Sequence, residues 1–352
     1  YGMLDRMGIQ TIIDGEVKPH ANWQGLSPGW LVTLWLVHIL SEQNHLMEPV
    51  QQWVERQLTI LTKLSGQPVR ELDFTDDRLA MCLRDLSPKG NWQAIEEQLG
   101  QRLIRVYELK PEVIRLDATV GTVHHEQGTG TLFQVGKAKN GTYGPQFKMM
   151  LASLDPLGLP LVVDVEAGNR ADDPLYIPSY QRAKTILERD GLLVVGDSKM
   201  SALLTRATIV AGQDSYLVPL ADRKDEPELL SMLLEAWLKD GAETVPIFLP
   251  EERPEDDSEP DPSLAIGSGF EVNRPRTAMV AGEKITWEER LLVVRSYSYM
   301  KSELGGVRRR LRKAETAFVA LTPSRGRGKK QIETEGELLS AIDKIEGQYR
   351  VK

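Results

Sequence analysis

The sequence predicts an α/β protein built on a mixed β-sheet, with a helical region before the sheet and a small β insertion after it. Apolar residues recur with helical spacing over residues 1–110, whereas residues 113–120 alternate with the period of two that is typical of a strand. Beyond that strand, strand and helix patterns follow one another in an order that one sheet can accommodate. The 352 residues are enough for two or three domains of roughly 100–200 residues each.

Helix signals organise residues 1–110. Ser27 is a typical N-cap, and Pro28 occupies the first helical position of the apolar run that follows. This run, residues 30–40, is too short to cross a membrane, which takes about 20 residues, so we expect a buried helix. Cys82 has apolar neighbours at helical spacing and is predicted to be a core residue. Three further helices are predicted: residues 46–64, residues 76–86 after the cap Thr75, and residues 91–109.

A sheet begins after Pro111. Residues 113–120 form its first strand, and the turn at residues 155–158 joins two more strands into a hairpin. A helix from Asp173 to about residue 189, a wholly apolar strand at residues 192–196, a helix at residues 199–211 and a strand at residues 215–220 follow. The predicted order is β-β-β-α-β-α-β, which is the order of the ribonuclease-H-like fold.

Two aspartates are candidates for chemistry. Asp117 interrupts an apolar, β-branched run, where burying an unpaired carboxylate would be costly, and Asp197 follows the fourth strand. The first and fourth strands can lie side by side, so both carboxylates are expected to converge at one edge of the sheet. Carboxylate oxygens are preferred ligands of Mg²⁺ (or Mn²⁺), and two such ions can promote phosphoryl transfer. Alternatively, Asp117 caps a loop or pairs with Arg115 or Lys199.

Charge is distributed unevenly along the chain. The net charge of −8 argues against a uniformly basic nucleic-acid-binding protein. However, residues 225–262 carry thirteen acids against two bases, and residues 295–330 carry eleven bases against two acids. We therefore divide the chain into a helical domain (1–110), a catalytic core (111–222), an acidic linker with a β insertion (223–296) and a basic helical region (297–352). Residues 250–263 are predicted to be disordered.

Three stretches resemble one known family. "RLDATVGTVH", "GKAKNGTYGPQFKMMLASLDPLGLPLVVDVEAGNRADDPLYIP" and "LLVVGDSKMSALLTRATIVAGQDSYLVPL" resemble the catalytic domain of bacterial insertion-sequence transposases of the DDE class. The resemblance covers residues 110–220 well. In the helical region, "DFTDDRLAMCLRDL" is the piece that is most similar to the domain preceding this core in one branch of the family.

The resemblance implies Mg²⁺-dependent DNA cleavage and strand transfer by three acids. Asp117 would be the first acid and Asp197 the second. The third is a Glu on a late helix, in the pattern Tyr, two residues, Arg, three residues, Glu, six residues, Lys. No tyrosine near the C-terminus places Arg and Glu at these spacings, and the surroundings of Glu303 do not match. We therefore expect the third acid to lie beyond Lys352, in a chain that is incomplete at its C-terminus.

Basic residues form two groups that could contact DNA phosphates. One group is expected near the aspartates, where His124 and His125 could also contact substrate or metal or simply lie in an exposed loop. The other is a positive stripe on a late helix, which alternatively pairs with the acidic linker. The predicted DNA-binding residues are Lys137, Lys139, Lys148, Lys199, Arg308, Arg309, Arg310 and Arg312.

The predicted function is that of a DNA transposase acting on double-stranded DNA, both transposon ends and target. We expect a homo-oligomer on DNA, located in the cytoplasm at the nucleoid and not in a membrane. The alternative is a truncated or decayed transposase that acts only as a DNA-binding or regulatory protein. Phosphatases of the haloacid dehalogenase type are disfavoured because the second aspartate of their first motif is replaced by Thr119.

Overall fold

The computed structural model of the protein describes residues 1–124, 132–137, 141–220, 229–240, 243–249, 261–322, 326 and 331–351. The chain divides into two compact units. One unit comprises Tyr1–Ala221 with Thr277–Trp287, and the other comprises Asp222–Arg276 with Glu288–Lys352. The finer division into four segments, drawn from composition, stays a prediction.

Residues 1–110 are helical, as predicted, and all of them are described. The caps are those that the sequence indicates: Ser27 Oγ accepts from the backbone N–H of Trp30, and Thr75 Oγ1 accepts from that of Arg78. Gly66, with φ of 64°, ends the fourth helix in the left-handed conformation. The helices are α1 (Gly2–Arg6), α2 (Ile9–Glu16), α3 (Pro28–Glu42), α4 (Val50–Ser65), α5 (Asp76–Leu86) and α6 (Lys89–Val106).

Two apolar clusters hold these helices together. Leu31 and Leu34 of α3 pack with residues of α4 and with Phe74, and none of these three is exposed. Cys82 of α5 belongs to a second cluster with Ile13 and Ile95, which confirms it as a core residue. Burial raises the pKa of its thiol to about 12, so the thiol stays protonated.

No helix in the described part of the chain has the length and apolar character needed to span a membrane.

The main sheet is mixed. Its strands run in the order β2-β3-β1-β5-β6, and β4 also pairs with β3. Strand β1 pairs antiparallel with β3 and parallel with β5, and β5 pairs parallel with β6, so the first strand and the apolar fourth strand of the prediction are neighbours. The strands are β1 (Val113–Thr122), β2 (Gln134–Lys137), β3 (Tyr143–Leu154), β4 (Leu159–Ala167), β5 (Leu193–Gly196) and β6 (Ser215–Leu217).

Helices α7 (Tyr176–Leu187) and α8 (Leu203–Ala211) complete this part of the fold. The core includes Ile114 and Leu116 of β1 together with Val194 of β5 and residues of α7. Two details differ from the prediction. Strand β2 lies where no strand was predicted, and a short 3-10 turn at Ser198–Ser201 precedes α8 where one continuous helix was expected.

Helix α6 is fixed to the sheet by a buried carboxylate. Glu96 accepts from the backbone N–H of Val163 in β4 at 2.8 Å, beside an irregularity in the pairing of β3 with β4. Arg182 of α7 forms ion pairs with both Glu96 and Asp164. Gly100 allows close approach of α6 to α7, since a Cβ there would lie 2.6 Å from a methyl carbon of Ile186. Burial raises the pKa of Glu96, and its hydrogen bond to Val163 and the charge of Arg182 oppose this rise.

The remaining residues contain a small three-stranded sheet and three helices, among those that the structure describes. Helix α9 (Leu229–Asp240) lies in the segment that was predicted to be linker and was missed. The β insertion is present in the order β7-β8-β9, where Ala281 and Gly282, both with positive φ, make the turn between the long strands. Most of the predicted disordered segment, residues 250–260, lies outside the described residues. The elements are β7 (Val245–Ile247), β8 (Gly267–Val280), β9 (Glu283–Ser296), α10 (Tyr297–Val319) and α11 (Glu335–Tyr349).

Candidate metal and nucleic-acid site

The two predicted aspartates come next to each other across neighbouring strands. In the parallel pairing of β1 with β5, Leu116 is opposite Gly196, and Asp117 and Asp197 are the next residue of each chain segment. Neighbouring strands are about 4.8 Å apart, so the two backbone positions adjoin. The register thus brings together the backbone positions of two aspartates that are eighty positions apart in the sequence.

Asp117 is exposed, which corrects the expectation that its carboxylate has to be compensated for burial. The alternation of β1 turns Ile114 and Leu116 toward the core and places Asp117 on the other face. Arg115 does not pair with Asp117, because it donates to both carboxylate oxygens of Asp155 at 2.7 Å. Within the described part of the chain, Asp117 makes no hydrogen bond or ion pair, so its oxygens are available to a cation.

Asp197 is held by two donors on the same oxygen. The hydroxyl of Tyr176 donates to Oδ1 at 2.6 Å, and the backbone N–H of Lys199 donates to it at 2.9 Å. Tyr176 is fully buried at the start of α7, so its ring cannot move without disturbing the core. Both donors fix the orientation of the carboxylate, and Oδ2 has no protein donor among the described residues.

The negative charges of both aspartates act on the hydroxyl of Tyr176. Burial, the hydrogen bond to Asp197, and the negative charges of Asp197, Asp117 and Asp172 all raise the pKa of its hydroxyl. The hydroxyl therefore remains a donor throughout the physiological pH range. No role was predicted for Tyr176 or Asp172. Both residues lie in the second stretch that resembles the transposase family, at "ADDPLY", where two acids precede the start of a helix.

Lys148 already has a partner. Its ammonium group forms an ion pair with Asp172, and only 13% of its side chain is exposed. The predicted contact of Lys148 with DNA phosphate would therefore compete with this pair. Lys199 is exposed, and its backbone rather than its side chain contacts Asp197.

The other predicted residues near the aspartates are only partly described. The backbone of Lys137 pairs with that of Tyr143 at the end of β2. Lys139 and His125 lie outside the described residues, and His124 is described but makes no contact that would assign it a role. Phosphate contacts by Lys137, Lys139 and Lys199 stay predictions.

The predicted basic stripe lies on α10. Arg308, Arg309, Arg310 and Arg312 are all exposed, and none of them forms an ion pair within the described residues. The side chains are thus available for contact with a polyanion, and their helix is 23 residues long, which is about 35 Å.

Asp117 and Asp197 suit a divalent cation in the chemistry of their donor atoms. Asp117 offers both carboxylate oxygens and Asp197 offers Oδ2, and hard oxygen ligands are those that Mg²⁺ prefers. One or two protein carboxylates commonly hold this ion together with water and substrate phosphate. In the described residues there is no group of three or more His, Cys, Asp or Glu side chains arranged to hold a metal ion, and no third acid is assigned.

Comparisons with known proteins add one finding. No protein-family model matches the chain, and no curated protein matches it. Among solved structures, the chain is similar to the Mos1 transposase paired-end complex with left transposon end, with a TM-score of 0.23 and 11% sequence identity. The alignment covers 62% of this chain and 68% of that chain. A likeness at this level carries no argument about function, so a functional assignment has to rest on the residues of this chain.

Proposed function

We propose that the protein is a DNA transposase of the DDE class, with a ribonuclease-H-like core that cleaves and joins DNA with the help of Mg²⁺ or Mn²⁺. The observation that supports this best is the juxtaposition of Asp117 and Asp197 at the ends of paired parallel segments. The strand directions and order of the main sheet agree with such a core.

In this proposal each residue has a defined task. Asp117 and Asp197 hold the cation, and Tyr176 keeps Asp197 in the orientation that leaves Oδ2 free. When bound, divalent ions supply activation of an attacking water or hydroxyl and stabilisation of the leaving oxygen in phosphoryl transfer. Asp172, whose negative charge acts on Tyr176, is paired with Lys148, so that its charge is balanced within the protein.

DNA binding is assigned to the basic residues of α10. Exposed arginine side chains contact phosphates without reading the base sequence, so this binding is expected to be independent of sequence and sensitive to salt. The partner in this proposal is double-stranded DNA. The ends of the transposon would be recognised by residues elsewhere in the chain.

The test is cleavage of DNA that flanks the gene for this chain. We expect nicking that needs Mg²⁺ or Mn²⁺ and is abolished by Asp117→Asn and by Asp197→Asn. Asp173→Asn is the matched control, because Asp173 is an exposed acid that precedes Tyr176 and has no contact with Asp117 or Asp197 in the described residues.

Two outcomes would overturn the proposal. Cleavage that survives both aspartate substitutions would place the chemistry elsewhere. DNA binding without any metal-dependent cleavage would favour the alternative, a protein that binds or regulates DNA without cutting it.

A further inference from the structure

Helix α10 carries an apolar seam with the spacing of a coiled coil. Apolar residues recur at alternating intervals of three and four, which is the pattern of the a and d positions of heptads. The pattern runs through the whole helix without interruption. Its members are Tyr297, Met300, Leu304, Val307, Leu311, Ala314 and Phe318.

Only the C-terminal part of this seam is covered. Ala314 is 3% exposed, and it lines a cleft of about 320 Å³ with Leu311, Glu315 and Phe318 of the same helix, with Glu346 of α11 and with Val351. In contrast, the exposed fractions are 40% for Met300, 48% for Leu304, 36% for Val307 and 50% for Leu311. A contiguous row of large apolar side chains on one helix face indicates an interaction surface.

The charges that flank the seam are complementary to a second copy of the same helix. With the seam at a and d, Glu303 and Arg310 occupy g positions, and Arg308 and Glu315 occupy e positions. In a parallel pair each g residue faces the e residue of the next heptad on the other helix. Glu303 would face Arg308 of the other copy, and Arg310 would face Glu315 of the other copy. Both contacts join opposite charges, and each occurs twice because the two helices are identical.

These four side chains are free to make such contacts. All of them are exposed, and none forms an ion pair within the part of the chain that the structure describes. Arg309, Arg312 and Lys313 occupy the f, b and c positions, away from the seam. A pair of helices joined along the seam would therefore still present these three basic residues to solvent.

We propose that α10 pairs in parallel with α10 of a second copy of this chain, through the seam formed by Met300, Leu304, Val307 and Leu311. The two copies are held in register by the contacts of Glu303 with Arg308 and of Arg310 with Glu315. This inference does not depend on the proposed catalytic chemistry.

The test measures the mass of the full chain in solution, without DNA, by sedimentation over a range of concentrations. We expect a dimer that Leu304→Asp combined with Leu311→Asp converts to a monomer with an unchanged far-UV circular dichroism spectrum. Glu303→Arg should weaken the dimer roughly thirtyfold, since two symmetry-related contacts change from attraction to repulsion. Arg308→Glu should have a similar effect.

The charge exchange makes the test specific. Combining Glu303→Arg with Arg308→Glu should restore most of the dimer affinity, because opposite charges face each other again. Arg309→Glu is the matched control, with the same change of charge at an adjacent outer position, and should leave the dimer unchanged. A chain that is monomeric at every concentration would overturn the proposal, and so would a dimer that is indifferent to the seam and charge variants.

Discussion

The hydrogen bond from Tyr176 to Asp197 offers a measurable test of how the candidate site is built. Replacing Tyr176 by Phe removes the hydroxyl and retains the ring, so the core keeps its volume. The bond that disappears is 2.6 Å long and ends on a carboxylate, and such bonds contribute about 1.5–3 kcal/mol to stability. Asp197 keeps the backbone N–H of Lys199 as a second donor. We therefore expect the free energy of unfolding to fall by about 2 kcal/mol at neutral pH.

A matched control lies one turn further along the same helix. Tyr180 is also buried, and its hydroxyl donates to Asp214 at 2.7 Å, away from the candidate site. Tyr180→Phe should cost a similar amount of stability in urea denaturation. Only Tyr176→Phe should also weaken Mn²⁺ binding, because only Tyr176 orients a proposed ligand. If both variants bind Mn²⁺ as the original chain does, Tyr176 has a structural role alone and the reasoning is refuted.

Three further predictions concern stability and DNA binding. Burial raises the pKa of Glu96 above its ordinary value of about 4.3, so the folded state binds the proton of this carboxyl more tightly than the unfolded state does. The free energy of unfolding of the original chain, compared with that of Glu96→Gln, should therefore decline as the pH rises from that ordinary value through the raised pKa. Parallel urea titrations of both proteins across this range check this, and a constant difference would contradict it. Thr75→Ala should lower the free energy of unfolding by about 1 kcal/mol, because it removes the cap of α5, and an unchanged denaturation midpoint would argue against the cap. Joint replacement of Arg309 and Arg312 by Ala should make the plot of log affinity for DNA against log salt concentration less steep, by about 0.9 for each phosphate that the protein no longer neutralises. Fluorescence anisotropy measures this slope, and an unaltered slope would exclude a role of these two arginines in binding phosphate.

Local chemistry made the helical region predictable. Ser27 and Thr75 mark helix starts because their side-chain oxygens can accept from backbone N–H groups that no preceding turn satisfies, and the structure contains both bonds. Gly66 marks a helix end because a left-handed residue without a side chain is unstrained there. Such signals depend only on nearby residues, so sequence suffices to read them.

Two elements of secondary structure were not predicted, one because it forms only by pairing with a distant strand and the other because its acidic surroundings are typical of a linker. Strand β2 forms because its backbone pairs with β3, and its four residues carry no alternation that would predict it. Helix α9 was missed because the surrounding acids indicated a linker, although Leu229, Leu233 and Trp237 recur at helical spacing.

The candidate site was predictable only in part. The neighbouring positions of Asp117 and Asp197 follow from strand order, and the register agrees with that prediction. The exposure of Asp117 was misjudged because its apolar, β-branched neighbours suggested a buried position, whereas β1 buries only the face that carries Ile114 and Leu116. The role of Tyr176 could not be predicted, since it depends on how α7 packs against the sheet and brings the hydroxyl of Tyr176 to Asp197.

Asp117 and Asp197 share one cation in the proposed site, and Mn²⁺ binding measured by electron paramagnetic resonance tests this most directly. We predict that Asp117→Asn and Asp197→Asn each remove the same binding event, and that the double variant binds no more weakly than either single variant, whereas Asp173→Asn binds like the original chain. Two results would contradict a shared cation site. One is Mn²⁺ binding that is unchanged in either single variant. The other is a loss of binding free energy in the double variant that equals the sum of the losses in the two single variants, as two independent sites would give.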